Sequence, residues 1–320
     1  MNIVFVGTPE FAVPSLNSLA KSTHKILAVI TQPDKPKGRS KILSSSAIKE
    51  AALALGLKII QPVNINHEDT VKQLQALSPD CIVVVAFGQF LSQAVLRIPR
   101  NQCINIHASL LPKYRGAAPA NHAIIQGETK TGVTAIVMVN KMDAGDIIAQ
   151  KETPIFPDET AGELEKRLAS LSADLLPEIL DLLEAEKVTY TKQDESKVSF
   201  APKLTKEDGL IIWHQETQKI HNRIRGVTPT PGAYTYYMKG NTREKQRILL
   251  RKTQIHHDSA VKTAQNPGAV IEVAQCGIHV VTGDSFICIT RLQPEGGRAM
   301  DVSEYLRGHK ISVQDMFVSG

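Results

Sequence analysis

The apolar run CIVVVAF, residues 81–87, constrains this chain more than any other stretch, because a strand without a polar face has to be buried. It is too short to cross a bilayer, and no other run in the sequence is long enough. The surrounding sequence supplies the cover. Residues 2–6 read as a first strand, followed by turn and helix in GTPEFAVPSLNSLA. KILAVITQ, KIIQP, CINIHASLLP and GVTAIVMV read as further strands, and the polar loop PDKPKGRSKILSSS runs into a helix at AIKEAALALG. Short apolar strands alternating with helical stretches predict an α/β layer whose sheet is largely parallel at its start.

The pattern changes at Thr160. Thr160 and Glu163 fit a capping box, and Leu164, Leu168, Leu171, Leu175, Ile179 and Leu182 recur at three and four. A long amphipathic helix is expected there, kinked or split at Pro177. The polar segment 187–209 reads as a linker or surface hairpin, which divides the chain into domains at 1–203 and 204–320. Beyond it GAYTYYM, QRILLRKTQI, GAVIEVAQ, GIHVVTGD and SFICITRLQ are short strands set off by turn residues, the signature of a small antiparallel β-barrel.

Composition then excludes several classes. The four cysteines form no C-x-x-C pair, and three of them stand in apolar runs, so neither a disulfide framework nor a zinc ribbon is expected. The ten histidines show no metal-binding spacing, and His256 and His257 are neighbours in a polar stretch; no metal is expected. The N-terminus opens directly on a strand without a secretory signal, so a soluble cytoplasmic protein is expected. Residues 1–200 carry 21 Lys and Arg against 21 Asp and Glu, and residues 201–320 carry 16 against 11, so the whole net charge of +5 lies in the C-terminal part. A basic appendage on a neutral body points to a polyanionic partner.

Nucleotide motifs are weak. VGTPEFA stands where a dinucleotide-binding fold has its glycine loop, but Gly7 is alone there and no P-loop pattern occurs. The stretch NIHASLLPKYRGAAP, residues 105–119, carries more chemistry. On an extended backbone Asn105 and His107 share a face. The Asn amide is a neutral donor toward a developing oxyanion, and the His moves protons or stabilises the same charge. Asp143, in NKMDAGDI after the strand GVTAIVMV, is expected beside His107, with two adjacent parallel strands bringing both to the carboxyl ends of the sheet. Taken singly, each residue is of a kind that often serves structure alone; together they indicate a site. No G-x-S-x-G is present and no cysteine follows the strand. An oxyanion donor, a His and an Asp without a protein nucleophile suit direct transfer of a carbonyl carbon to an incoming amine, with donor and acceptor unspecified.

INIHASLLPKYRGAAP and MDAGDI resemble the signature of the folate-dependent formyltransferases, and VGTPEFA together with PTPGAY, LQPEGGRAM and LRG extends the resemblance over almost the whole chain. It implies a Rossmann-like catalytic domain followed by an OB-like barrel, with 10-formyltetrahydrofolate as donor. As acceptor it implies the α-amino group of methionine on initiator methionyl-tRNA. Asn105, His107 and Asp143 match the catalytic trio of the family, and Ser109, Leu110, Leu111 and Pro112 match its folate-contacting turn. Lys35, Lys37, Arg39 and Lys41 match an insertion that enters the tRNA acceptor arm. KGNTREKQRILLRK, with six basic residues and one acidic, is a second basic surface. Ala47 and Thr230 depart from the pattern, which often has a Pro and a bulky aromatic at these places. The same trio serves relatives that formylate an amino-sugar nucleotide or glycinamide ribonucleotide, and hydrolases that release formate. The basic insertion and basic barrel favour the tRNA acceptor over these and over a non-catalytic RNA-binding protein. Two self-contained domains are compatible with a monomer.

Overall fold

A computed structural model describes residues 1–37, 42–240, 244–255, 266–313 and 315–319, with Lys37 and Ile42 described by their backbone. The chain divides into two compact units, residues 1–119, 130–154 and 165–202 in the first and 120–129, 155–164 and 203–320 in the second. In chain order the first elements are β1 (Asn2–Gly7), α1 (Val13–Ala20), β2 (Lys25–Ile30), β3 (Lys35–Lys37), β4 (Ile42–Ser44), α2 (Ala47–Ala54) and β5 (Ile59–Ile60). Then come α3 (Glu68–Leu77), β6 (Cys81–Val85), α4 (Gln93–Leu96), β7 (Gln102–His107), β8 (Arg115–Gly116), α5 (Pro119–Ile125), β9 (Lys130–Val137) and β10 (Ile147–Pro154).

The sheet of the first unit runs in the order β10-β9-β7-β6-β1-β2-β5. β7, β6, β1, β2 and β5 are parallel neighbours, and β6 lies inside this set with all five residues buried, as its composition demands. Val4, Val6, Ile30, Ile82, Val84 and Cys103 from the strands pack with Leu74, Phe87, Leu91 and Val95 in one core cluster. β9 and β10 are antiparallel to their neighbours. The expected parallel pairing of β7 with β9 is therefore corrected: Asn105 lies opposite Ile136 and His107 opposite Thr134 in an antiparallel ladder. The connection over residues 108–129 is long enough for either direction, and the apolar pattern of the strand does not distinguish them.

α6 (Ala161–Glu184) is one continuous helix that keeps Pro177 inside it, so the expected split does not occur. Its N-terminus has the full capping box: Glu163 accepts from the Thr160 N–H at 2.8 Å and hydroxyl at 2.7 Å, and Glu163 N–H donates to the Thr160 hydroxyl at 3.3 Å. The segment after α6 is neither hairpin nor free linker. Thr191 bridges Ile147, and β11 (Phe200–Ala201) pairs in parallel with β8, so residues 191–201 form a strap on the first unit. Backbone polar groups explain the strap's course, since each paired N–H and C=O replaces a bond to water.

The second unit contains α7 (Thr217–Gly226), β12 (Ala233–Met238), β13 (Lys245–Gln254), β14 (Val270–Ala274), β15 (Gly277–Val281), β16 (Phe286–Pro294), β17 (Met300–Asp301), α8 (Val302–Gly308) and β18 (Met316–Val318). Its sheet runs β14-β15-β16-β13-β12-β18 with antiparallel neighbours, and β17 pairs β16. An Ala269–Met316 bridge and a 2.8 Å bond from Phe317 N–H to Gly268 C=O bring β18 back to the start of β14, closing the barrel. Trp213, Ile220, Ile224, Ile248, Leu250, Ile287, Ile289 and Phe317 are among the residues of its core. Residues along β12 are buried and half-buried in turn, the period of two that a pleated strand imposes.

Candidate active site

β7 ends in Asn105, Ile106 and His107, and its pleat turns the first and third side chains to one face while Ile106 is buried on the other. His107 Nε2 lies 2.8 Å from the backbone oxygen of Tyr114. A carbonyl only accepts, so Nε2 carries the hydrogen and Nδ1 is left as the position that gains or loses a proton. Nδ1 faces the Asp143 carboxylate at 3.6 Å. The Gly116 N–H donates at 2.9 Å to the carboxylate oxygen that faces His107, Oδ2, and the Asn105 amide donates to the other, Oδ1, at 3.4 Å. The structure thus brings Asn105, His107 and Asp143 together around one carboxylate.

Asp143 arrives by a different route from the expected one. β9 leaves the neighbourhood of His107 and runs back along β7, and the β9–β10 connection returns Asp143 to the trio. This connection is tied at its base by Val137 N–H to Asp146 C=O and Met138 N–H to Cys103 C=O. Asp143 has φ 49°, a left-handed conformation that Asp tolerates better than most residues and that persists where its surroundings fix it. Gly145 is required two residues on, since a Cβ there would lie 1.7 Å from the Val137 carbonyl oxygen. Gly116, which supplies the N–H to Asp143, has φ 129°, and a Cβ on it would lie 2.6 Å from Ala201 C=O.

The turn at Ser109, Leu110, Leu111 and Pro112 is closed on itself. The Ser109 hydroxyl donates to Lys113 C=O at 2.6 Å, and the Thr134 hydroxyl donates to Ser109 C=O at 2.6 Å. Leu111 N–H donates to Thr134 Oγ1, and Leu111 C=O accepts from the Gln150 amide. The Leu111–Pro112 peptide is cis. These hydroxyl, N–H and C=O groups are occupied within the protein, and the turn offers outward the half-buried apolar surface of Leu110 and Pro112. The buried hydroxyl of Ser109 is likewise committed and is not a poised nucleophile.

Four supporting residues had no role in the sequence reading. Arg115, 1% exposed, donates through Nε and Nη2 to Gln193 Oε1 at 3.1 and 2.8 Å and through Nη2 to Glu195 at 2.7 Å. The Gln193 amide donates to the carbonyls of Asp143 and Gly145 at 2.7 and 2.8 Å. Arg115 and Lys141 together pull the Glu195 carboxyl down to about 2. Ser199 accepts from Tyr114 N–H at its hydroxyl and from Arg115 N–H at its carbonyl, both at 2.9 Å. The motif LLPKYRGAAP carries two cations, Lys113 and Arg115, and nothing in the sequence marks the second as the buried one.

The basic insertion is a short hairpin rather than an open loop at its base, with β3 and β4 antiparallel and Lys35 paired to Ser44. Lys35 is exposed and donates to the Gln32 side chain at 2.5 Å. Lys37 is in β3, and Arg39 and Lys41 lie outside the described residues, as do His256 and His257. Ala47 is the first residue of α2 behind the Ser46 cap, a place where Pro is also accommodated. On the barrel, Arg247 lies over the Tyr234 ring at 4.2 Å. All four cysteines are free, and Cys81, Cys103 and Cys288 are buried. Among the described residues no helix is long and apolar enough to cross a membrane.

Known proteins resemble this chain over most of its length. A family model described as formyl transferase matches residues 1–180, and one described as formyl transferase, C-terminal domain, matches residues 203–310. The chain is 45% identical over 312 residues to a methionyl-tRNA formyltransferase of Syntrophus aciditrophicus, covering 98% of this chain and 97% of that one. It is 44% identical to that of Moorella thermoacetica, covering 97% of both. Among solved structures, the N-formyltransferase of Helicobacter canadensis in complex with folinic acid and dTDP-3-aminofucose aligns at a TM-score of 0.67 and 19% identity, over 90% of this chain and 98% of that one. HypX of Aquifex aeolicus in complex with tetrahydrofolic acid aligns at 0.60 and 18%, over 98% of this chain and 50% of that one. At these identities the structures speak for the fold.

Proposed function

The chain belongs to the formyl transferase family, and from that premise we propose that it formylates the α-amino group of methionine on initiator methionyl-tRNA. The donor is 10-formyltetrahydrofolate, and the product serves initiation of protein synthesis. The observation that carries the reading is the Asp143 carboxylate, held by Gly116 N–H and the Asn105 amide against His107 Nδ1, in a chain alike over nearly its full length to proteins of that activity.

The donor supplies a formyl carbon already bound to nitrogen. Attack by the amine forms the new C–N bond and moves an electron pair onto the formyl oxygen, where the Asn105 amide donates to the oxyanion of the tetrahedral intermediate. His107 is held by its Nε2–H on Tyr114 C=O, so a proton given up by the attacking amine is received at Nδ1, beside Asp143. The resulting imidazolium and carboxylate are an ion pair, where the neutral ring had set a lone pair against a negative charge. Collapse of the intermediate breaks the bond to the donor nitrogen, which takes the proton. No covalent enzyme intermediate and no metal is needed. Leu110 and Pro112 form apolar contacts with the folate, with Ser109 and Leu111 holding the turn's shape through their hydrogen bonds.

Residues 1–203 act as the catalytic domain, and residues 204–320 as the tRNA-binding barrel. Lys35, Lys37, Arg39 and Lys41 contact the acceptor arm through phosphates. The enzyme works in the cytoplasm, where charged tRNA is available, as a monomer. The test is a transfer assay with 10-formyltetrahydrofolate, offering charged initiator tRNA, charged elongator methionine tRNA and an amino-sugar nucleotide in parallel. Formylation confined to the initiator tRNA is the expected outcome. Formylation of the sugar nucleotide would keep the chemistry and overturn the acceptor.

A further inference from the structure

We propose that Gln193 is the positioning residue of this site: held by Arg115, it fixes the backbone of the Asp143 loop and thereby sets the distance between Asp143 and His107. The inference rests on the catalytic roles given to those two residues.

The Asp143 carboxylate is aimed by bonds at its tip, but its main chain is in the left-handed region and is joined to the sheet by a long connection. Such a conformation relaxes unless neighbours over-determine it. The restraint comes from Gln193, whose two amide hydrogens go to Asp143 C=O and Gly145 C=O, on either side of Ala144. An amide that rotated by half a turn would present its oxygen to both carbonyls. Arg115 forbids this, because its Nε–H and Nη2–H both require the oxygen on their side. Arg115 is in turn immobile: it is buried, its own N–H is bonded to Ser199 C=O, and Glu195 takes its outer edge. The order of control runs from Arg115 to the Gln193 amide, to the two loop carbonyls, to the Asp143 carboxylate. Neither Arg115 nor Gln193 need touch substrate.

The discriminating variant is Gln193→Glu. It keeps an oxygen for Arg115 and gains an ion pair, so the strap stays in place, but it turns an acceptor toward two acceptors. The expected result is a fall in kcat of about 10- to 100-fold, the scale of an angstrom-sized misplacement, with KM for donor and tRNA changed less than about threefold. The melting temperature is expected to match wild type. Gln193→Ala is expected to lose kcat similarly with some loss of stability. In an Asp143→Ala background, adding Gln193→Glu is expected to change the residual rate by less than about twofold, because the residue acts through Asp143. Equal losses in both backgrounds would overturn the proposal, as would an unchanged kcat in Gln193→Glu or a loss confined to KM. Wild-type protein inactive toward every acceptor offered would instead overturn the function on which the proposal rests.

Discussion

A strand end alone does not settle which nitrogen of His107 carries the hydrogen; the Tyr114 carbonyl does. In the proposed mechanism Asn105 and Asp143 then have separable duties, one toward the oxyanion and one toward the ring. Asn105→Ala and Asp143→Ala are expected each to lower kcat by about 10²- to 10³-fold while tRNA affinity, read by filter binding, stays near wild type. A proportional fall of binding and turnover would remove the roles assigned to them. Glu195 makes a prediction about pH. Its carboxyl is held at about 2 by Arg115 and Lys141, below the ordinary value of about 4.3, so its contribution to stability is full above pH ~4.3 and fades as pH falls toward ~2. Unfolding in urea should therefore show a wild-type-minus-Glu195→Gln difference that is constant from about pH 5 to 8 and shrinks only in stronger acid. At this scale the shared face of Asn105 and His107 was readable from local spacing, while Asp143 was expected beside them through a parallel pairing that the antiparallel ladder replaces. Gln193, 50 residues from Asp143 and set among polar neighbours without period, was not readable, because nothing local marks the bond it makes.

Elements were readable where one physical pattern dominates. The unbroken apolarity of β6 declared burial on two faces, turn residues set off the strands of the second unit, and the Thr160–Glu163 pair declared the start of α6. Thr160→Ala should cost about 1 kcal/mol in thermal or urea unfolding, with turnover per folded molecule unchanged. What the pattern did not carry was direction. A strand reads alike whether its neighbour is parallel or antiparallel, so the reversal of β9 became visible only in the ladder from Ile104–Val137 to His107–Thr134. Pro177 does not split α6 for a related reason: a proline removes one helical bond and clashes with one carbonyl, and the rest of a 24-residue helix with an apolar face outweighs that. The two short strands β17 and β18 have two and three residues, too few for any periodicity to show.

For the molecule as a whole, charge and chemistry are unequally shared. The trio and its supports belong to the first unit, and the excess of positive charge to residues 201–320. Salt should therefore act on one substrate and spare the other. If about three phosphates are neutralised, KM for tRNA rises roughly 40-fold between about 50 and 200 mM salt, while KM for the folate moves little; parallel steady-state titrations read both. The strap carries one more consequence, and it concerns time. A ribosome releases Asn105, His107 and Asp143 well before Gln193, which follows Asp143 by 50 residues and, at the usual pace of synthesis, by roughly 3 to 10 seconds. During that interval the nascent chain holds Asn105, His107, Asp143 and Arg115 but not Gln193. On the proposed roles, competence waits for residue 193, close to where the first unit ends at residue 202.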